Sequence, residues 1–186
     1  MSKFKVIDTA FAGLKVVEHR QLGDDRGYLA RLFCAKELSS AGWHKPVAQI
    51  NQTFTRNRGT VRGMHFQHMP NAEMKLVSCI RGAVWDVVVD LRAGSSTMLK
   101  WHAEELSQAN CRALLIPEGF AHGFQTLKDD SELIYLHSTD YTPGAEAGVN
   151  VEDPLLSIGW PLPIAKISAR DQLHAMLERD FAGVAV

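Results

Sequence analysis

The 186-residue chain is poor in several features that would betray a partner. It has only three cysteines, Cys34, Cys79 and Cys111, far apart and without a C-x-x-C pair. That excludes a disulfide framework or a cysteine-based zinc site, and a reducing compartment is expected. No apolar run is long enough to span a bilayer, and Met1–Val6 lacks the shape of a signal peptide. The expectation is a cytoplasmic protein without a membrane partner. Neither sign of charge dominates: 20 basic and 21 acidic residues leave a formal net charge of −1. No electrostatic footprint for nucleic acid follows from that balance. Repeats, low-complexity tracts and linker-like segments are absent. So is the G-x-G-x-x-G fingerprint of a dinucleotide cofactor. What remains is an ordinary globular composition, 46% hydrophobic and 22% charged, expected to form a single domain over 1–186. Eight histidines stand out against this background.

Period-two patterning dominates the middle of the chain. In Val84–Leu91, Trp85, Val87, Val89 and Leu91 fall on one face, and Val84, Asp86, Val88 and Asp90 on the other. Short strand-type runs also occur at 49–55, 74–80, 113–116, 123–127 and 132–138. Turn signals such as Asn57-Arg58-Gly59, Arg81-Gly82 and Pro117-Glu118-Gly119 separate them. Many short strands at this spacing predict an all-β antiparallel barrel or jelly roll. Helix is expected in two short places, 35–41 closed by Gly42, and 168–179. The second has Ser168 as N-cap and Leu173, Met176 and Leu177 as an apolar stripe.

Five places could carry chemistry. His65, in Arg62–His68, reads as a general base in a barrel or as a hydrogen-bonded core histidine; alternation turns His68 away from it. Lys75 reads as a snorkelling surface lysine or as a fixed cation in a cavity. His122 follows a Pro-Gly turn, with small neighbours that leave room for a ligand. Tyr135 reads as packing or as a proton donor. Asp171 stands three residues after Ser168, the spacing of a capping box, or it orients a histidine. A metal-dependent reading also exists. His65, His68 and Glu73, with Pro117-x-Gly119-x-x-His122, resemble the two-part metal motif of cupins. The fit is broken because Gln67 stands where the motif wants a second histidine.

Taken in order, the motifs form a set. They are Asp24-Asp25-Arg26-Gly27, Gln49-Ile50-Asn51, Arg62–Gln67, Lys75-Leu76-Val77, Asp86–Arg92, Pro117–Phe124, Tyr135 with Thr139-Asp140-Tyr141, and Asp153-Pro154 before Ile158–Pro161. This set resembles the dTDP-4-dehydrorhamnose 3,5-epimerase family over about residues 20–175. The resemblance implies a cupin-type jelly roll, a homodimer, no metal and no cofactor. It implies a nucleotide-linked 4-keto-6-deoxy hexose as substrate, inverted at C3 and C5, or at one of them in some relatives. By resemblance His65 is the base, Asp171 its partner, Tyr135 the acid on the opposite face and Lys75 the cation at the C4 oxygen. Gln49, Asn51 and Arg62 match positions facing the nucleotide diphosphate. His122 matches a sugar contact, and Tyr141 and Glu146 match nucleotide-side positions. Arg26 matches a contact made from the second subunit. Two positions depart from the family pattern: Leu29 and Arg31 stand where phenylalanine and glutamate are usual. A metal-dependent cupin enzyme using His65, Glu73 and His122, a single-carbon epimerase and a non-catalytic sugar-nucleotide binder are the competing readings. The histidines at 19, 44, 102, 137 and 174 receive no functional role.

Overall fold

The computed structural model describes residues 3–186. Thirteen strands and two one-turn helices follow one another in these residues. They begin with β1 (Phe4–Asp8), β2 (Lys15–His19), β3 (Gln21–Asp24) and β4 (Gly27–Ala30). The helix α1 (Ala35–Leu38) runs into a 3-10 turn that Gly42 ends at φ +114°, a conformation open mainly to glycine. Next come β5 (Gln49–Thr55), β6 (Val61–Gln67), β7 (Lys75–Arg81), β8 (Ala83–Asp90) and β9 (Trp101–Ser107). The remainder is β10 (Arg112–Ile116), β11 (Phe120–Thr126), β12 (Ser131–His137), β13 (Glu146–Gly148) and α2 (Ala169–Gln172).

Two antiparallel sheets face each other. One has the order β1-β2-β10-β7-β12-β5, the other β13-β6-β11-β8-β9, and β3–β4 is a separate hairpin. Between the sheets lies a dry core. Val16, Val77, Leu114 and Leu133 of the six-stranded sheet meet Val84, Val88, Leu106, Phe120 and Phe124 of the other. The opposite face of β8 contributes Val87 and Val89 to a second cluster, which the chain after Val149 covers. A third cluster puts α1 and Trp43 over the outer face of the six-stranded sheet. Both faces of the central strands are therefore buried, which explains the nearly unbroken valine run of β8. Free Cys79 packs in this interior, and burial pushes its thiol up to about 11.

The strand expectations agree with the structure, and the jelly roll follows from them. The C-terminal helix does not. Only Ala169–Gln172 is helical; Leu173 and Met176 are exposed, while Leu177 joins the outer cluster. Tertiary hydrogen bonds outcompete the helix. Asn150 Nδ2 donates to the carbonyls of Gln172 (3.1 Å) and His174 (3.0 Å), and the Leu177 amide donates to Asp153 Oδ2 (2.5 Å). Those groups are thereby withdrawn from an i→i−4 ladder. No helix among the described residues is long and apolar enough to cross a membrane.

Candidate active site

A cavity of about 790 Å³ opens between the two sheets, and the C-terminal segment closes part of its rim. Strand register places its side chains. On one wall, β12 pairs Tyr135 with Val77 and Asn51, and His137 with Lys75 and Gln49. On the other wall, β11 sets His122 directly opposite His65 of β6. All four expected catalytic residues line this cavity, as do Gln49, Asn51, Arg62, His122, Tyr141 and Glu146.

His65 is fixed by a carboxylate 106 positions away. Its Nε2 lies 2.9 Å from Asp171 Oδ1. Asp171 is held in turn: its amide donates to Ser168 Oγ (3.0 Å), and its Oδ2 accepts from the Gly63 amide (3.2 Å). Both readings of Asp171 are thus satisfied at once. The residue occupies the capped first turn of α2 while its carboxylate serves His65. Burial opposes ionisation of Asp171. The hydrogen bond and charge of His65, with the Gly63 amide, prevail and hold the carboxyl well below the usual carboxylate range. The ionised carboxylate on Nε2 favours the tautomer with the proton there and the lone pair on Nδ1, against the Arg170 Nη that also faces Nε2 at 3.0 Å. Gly63 also allows β6 to pack closely against β11. It has φ +135°, and a Cβ there would collide with Gly123 on β11.

Across the cavity, Lys75 is buried. Its Nζ lies 3.1 Å from Glu73 Oε1 and donates to the His65 carbonyl at 3.2 Å. Glu73 Oε2 also meets His137 Nδ1 at 2.7 Å. Burial alone would raise the Glu73 carboxyl, but Lys75 and His137 lower it further than burial raises it. Tyr135 packs edge-on against His122 (centroids 5.8 Å apart) and parallel to His137 (6.0 Å). Burial, reinforced by the Asp86 carboxylate, pushes its phenol far up, so it carries its proton at neutral pH. His122 forms the second pair of the site: its Nε2 lies 2.9 and 3.0 Å from the two oxygens of fully buried Asp86.

The mouth is polar. Tyr141 Oη donates to Glu146 Oε2 (2.7 Å), and the Tyr141 amide donates to Gln49 Oε1 (3.1 Å). Gln49 Nε2 donates to Asn51 Oδ1 (3.0 Å). Arg62 Nε donates to Thr55 Oγ1 (3.0 Å), and Arg170 bridges Glu146 (3.1 Å) and Asp171 (3.2 Å).

Arg26, expected to serve the site of a second subunit, does not line the cavity of its own chain. It stands at the turn of the exposed β3–β4 hairpin, 2.6 Å from Asp24, with Leu29 exposed nearby; Arg31 pairs with Glu37 at 2.5 Å. His68 is exposed, its ring against Phe66. Gln67 binds the 71–142 loops through Asn71, Asp140 and Thr142 instead of facing the cavity. The competing metal set of His65, Glu73 and His122 is not assembled, because each is bonded to a different partner. His137, given no role above, lines the cavity. Its position two residues after Tyr135 on one strand face was the available signal. Lys166 and Arg170 at the rim, and Asp86 behind His122, also escaped sequence reasoning as site residues.

Comparisons with known proteins agree with this architecture. The profile of the dTDP-4-dehydrorhamnose 3,5-epimerase family matches residues 8–179. A dTDP-4-dehydrorhamnose 3,5-epimerase of Sinorhizobium fredii is 42% identical over 152 residues, 82% of this chain and 78% of that one. A dTDP-4-dehydrorhamnose 3-epimerase of Streptomyces niveus is 40% identical over 161 residues, 86% of this chain and 77% of that one. Among solved structures, the dTDP-4-dehydrorhamnose 3,5-epimerase of Bacillus anthracis with TDP and PPi bound superposes with a TM-score of 0.90 at 38% identity, covering 94% of this chain and 99% of that one. A shared fold, a sequence match across most of the chain and a cavity built from the same motifs converge: the chain belongs to the dTDP-4-dehydrorhamnose 3,5-epimerase family.

Proposed function

We propose that this chain epimerises a nucleotide-linked 4-keto-6-deoxy hexose at carbons flanking the C4 ketone, through an enolate. The observation that carries this reading is the pairing of opposite walls. A histidine–carboxylate dyad stands on one, and a proton-bearing tyrosine beside a buried lysine on the other. Inversion at carbon needs a base on one face of the sugar and an acid on the other. His65 Nδ1 takes the proton, and Asp171 stabilises the resulting imidazolium. The Lys75 ammonium balances the charge that develops on the C4 oxygen. The Tyr135 phenol returns a proton to the opposite face. Only side chains move protons in this route, so it calls for no redox cofactor and no metal.

Arg62 and Arg170 suit the diphosphate, since a guanidinium fork matches phosphate oxygens. Gln49, Asn51, Tyr141 and Glu146 line the nucleotide side, Tyr141 stacking on the base, and His122 contacts the sugar. The exposed β3–β4 hairpin, with Arg26 at its tip, supports a homodimer in which Arg26 completes the neighbouring site. The similarity to the Streptomyces niveus 3-epimerase favours a second form of the reading, inversion at C3 alone.

Purified protein incubated with dTDP-, CDP- and GDP-linked 4-keto-6-deoxyglucose, followed by NMR of the sugar ring, tests this. Inversion at C3, C5 or both of one substrate is expected. Unchanged stereochemistry in all three would overturn the reading.

A further inference from the structure

His174 lies behind the dyad, outside the cavity lining. Its ring packs edge-on against that of His65, with centroids 5.6 Å apart at 71°. Its Nε2 is buried, has no hydrogen-bond partner, and points toward Asp171 Oδ1 at 3.9 Å. Gly148 makes the recess; any Cβ there would overlap the imidazole. A buried polar atom left unpaired demands an explanation.

The dyad geometry supplies one. Gly63 occupies Asp171 Oδ2, so Oδ1 is the oxygen that both imidazoles face. The donor atoms of His65, Asp171 and His174 all lie within 4.8 Å of one another. Two imidazole nitrogens and one carboxylate oxygen form a ligand set suited to zinc, whose bonds to nitrogen and oxygen are about 2.0–2.2 Å. One cation already stands at this point. Arg170 places an Nη 3.0 Å from His65 Nε2 and its Nε 3.2 Å from Asp171 Oδ1. Its side chain is half-exposed and also bonded to Glu146, so it can withdraw without losing an ionic partner.

We propose that His65, Asp171 and His174 form a binding site for a zinc-class divalent ion, with the Arg170 guanidinium as its built-in competitor. The ion takes the lone pair of His65 Nε2 and drives the ring proton to Nδ1. Occupancy therefore removes the base on which the proposed function rests, and the site is inhibitory. A hard oxygen-seeking ion such as magnesium is a poor match for two imidazoles.

Calorimetric titration of metal-free protein with Zn²⁺, and with Mg²⁺ as control, tests the site without any substrate. One Zn²⁺ per chain and no Mg²⁺ response are expected. His174→Phe, which keeps a ring in the Gly148 recess, is expected to weaken Zn²⁺ binding at least about tenfold, as loss of a ligand should. His174→Leu gives the same test should the phenylalanine variant not fold. Arg170→Gln removes the competing charge and is expected to tighten binding severalfold. In substrate assays, Zn²⁺ should silence the parent reversibly to a chelator, while His174→Phe keeps turning over at the same concentration. Absence of Zn²⁺ binding by the parent, or equal binding by both His174 variants, would overturn the proposal. Zn²⁺ binding in the expected order by a protein that epimerises nothing would uphold the site and refute only the functional reading.

Discussion

Two histidines of one cavity wall are each paired with a carboxylate, and the two pairs differ in almost every physical respect. His65 is partly open to the cavity, and its carboxylate comes from the distant one-turn helix α2. His122 is buried, and Asp86 reaches it from the adjacent strand β8. Asp171 is bonded by His65 and a backbone amide, and its carboxyl is held down. Burial drives Asp86 the other way, and the charge and hydrogen bond of His122 do not cancel it. The difference teaches that a histidine next to a carboxylate is not by itself a base. In the proposed reaction, the pair whose carboxyl is held down and whose histidine meets the cavity does the proton work. The pair sunk in the sheet is a rigid hydrogen-bonding post.

Substitutions can break or sharpen that contrast. The largest effect is expected at Asp171→Asn, which keeps the shape but misassigns the His65 tautomer: a fall in kcat of about 10²–10³-fold with little change in KM. A loss below tenfold would put His65 on the same footing as His122. Tyr135→Phe comes next. It removes the opposite-face acid while leaving the base, so proton exchange at the carbon should persist while net inversion falls about 10²-fold. Equal loss of both would place the two roles on one residue. Asp86→Asn should lower turnover only about tenfold or less, because His122 keeps a hydrogen-bond partner. Glu73→Gln should be of similar size, since an amide still accepts from Lys75 but the charge holding it is gone.

The subtlest contrast is in stability against pH. A depressed carboxyl adds stability that is present above the unfolded value near 3.8 and is lost as pH falls toward the folded one. A raised carboxyl does the reverse: its contribution is full below 3.8 and is lost as pH rises through the folded value. The advantage of the parent over Asp171→Asn should therefore shrink on acidification below about pH 4. The advantage over Asp86→Asn should shrink as pH rises above that point. Each slope is at most about 1.4 kcal/mol per pH unit for one proton. Urea unfolding between pH 3 and 7 checks both, and slopes of the same sign would erase the distinction.

How much of this was legible beforehand follows from the range of the interactions involved. Strands declare themselves because alternation is local: Ala83–Asp90 is buried on both faces, and Gln49–Thr55, an exposed edge strand, is still bounded by turn signals. Asp86 and Asp90 could be put on one face, but their fates diverged. Asp86 went to His122, whereas Asp90 holds Arg92, Ser95 and Thr97 in a turn. The C-terminal helix misled because its stripe was real while Asn150 and Asp153, some two dozen residues earlier, took its backbone groups. The His65–Asp171 contact was reached through resemblance; nothing local joins residues 106 apart. His137 was passed over although strand alternation with Tyr135 placed it on the same face, since its partner Glu73 lies on a loop before β7.

The central claim is that His65 removes a proton next to the ketone of the sugar. Proton NMR in D₂O, with a 4-keto-6-deoxy sugar nucleotide and either the parent or His65→Asn, tests it most directly. The parent should exchange the C3 proton, the C5 proton or both within minutes, and His65→Asn should be slower by at least about 10³-fold. Exchange by His65→Asn at the parent rate, or no exchange by the parent with any of the three nucleotide-linked substrates, would contradict it.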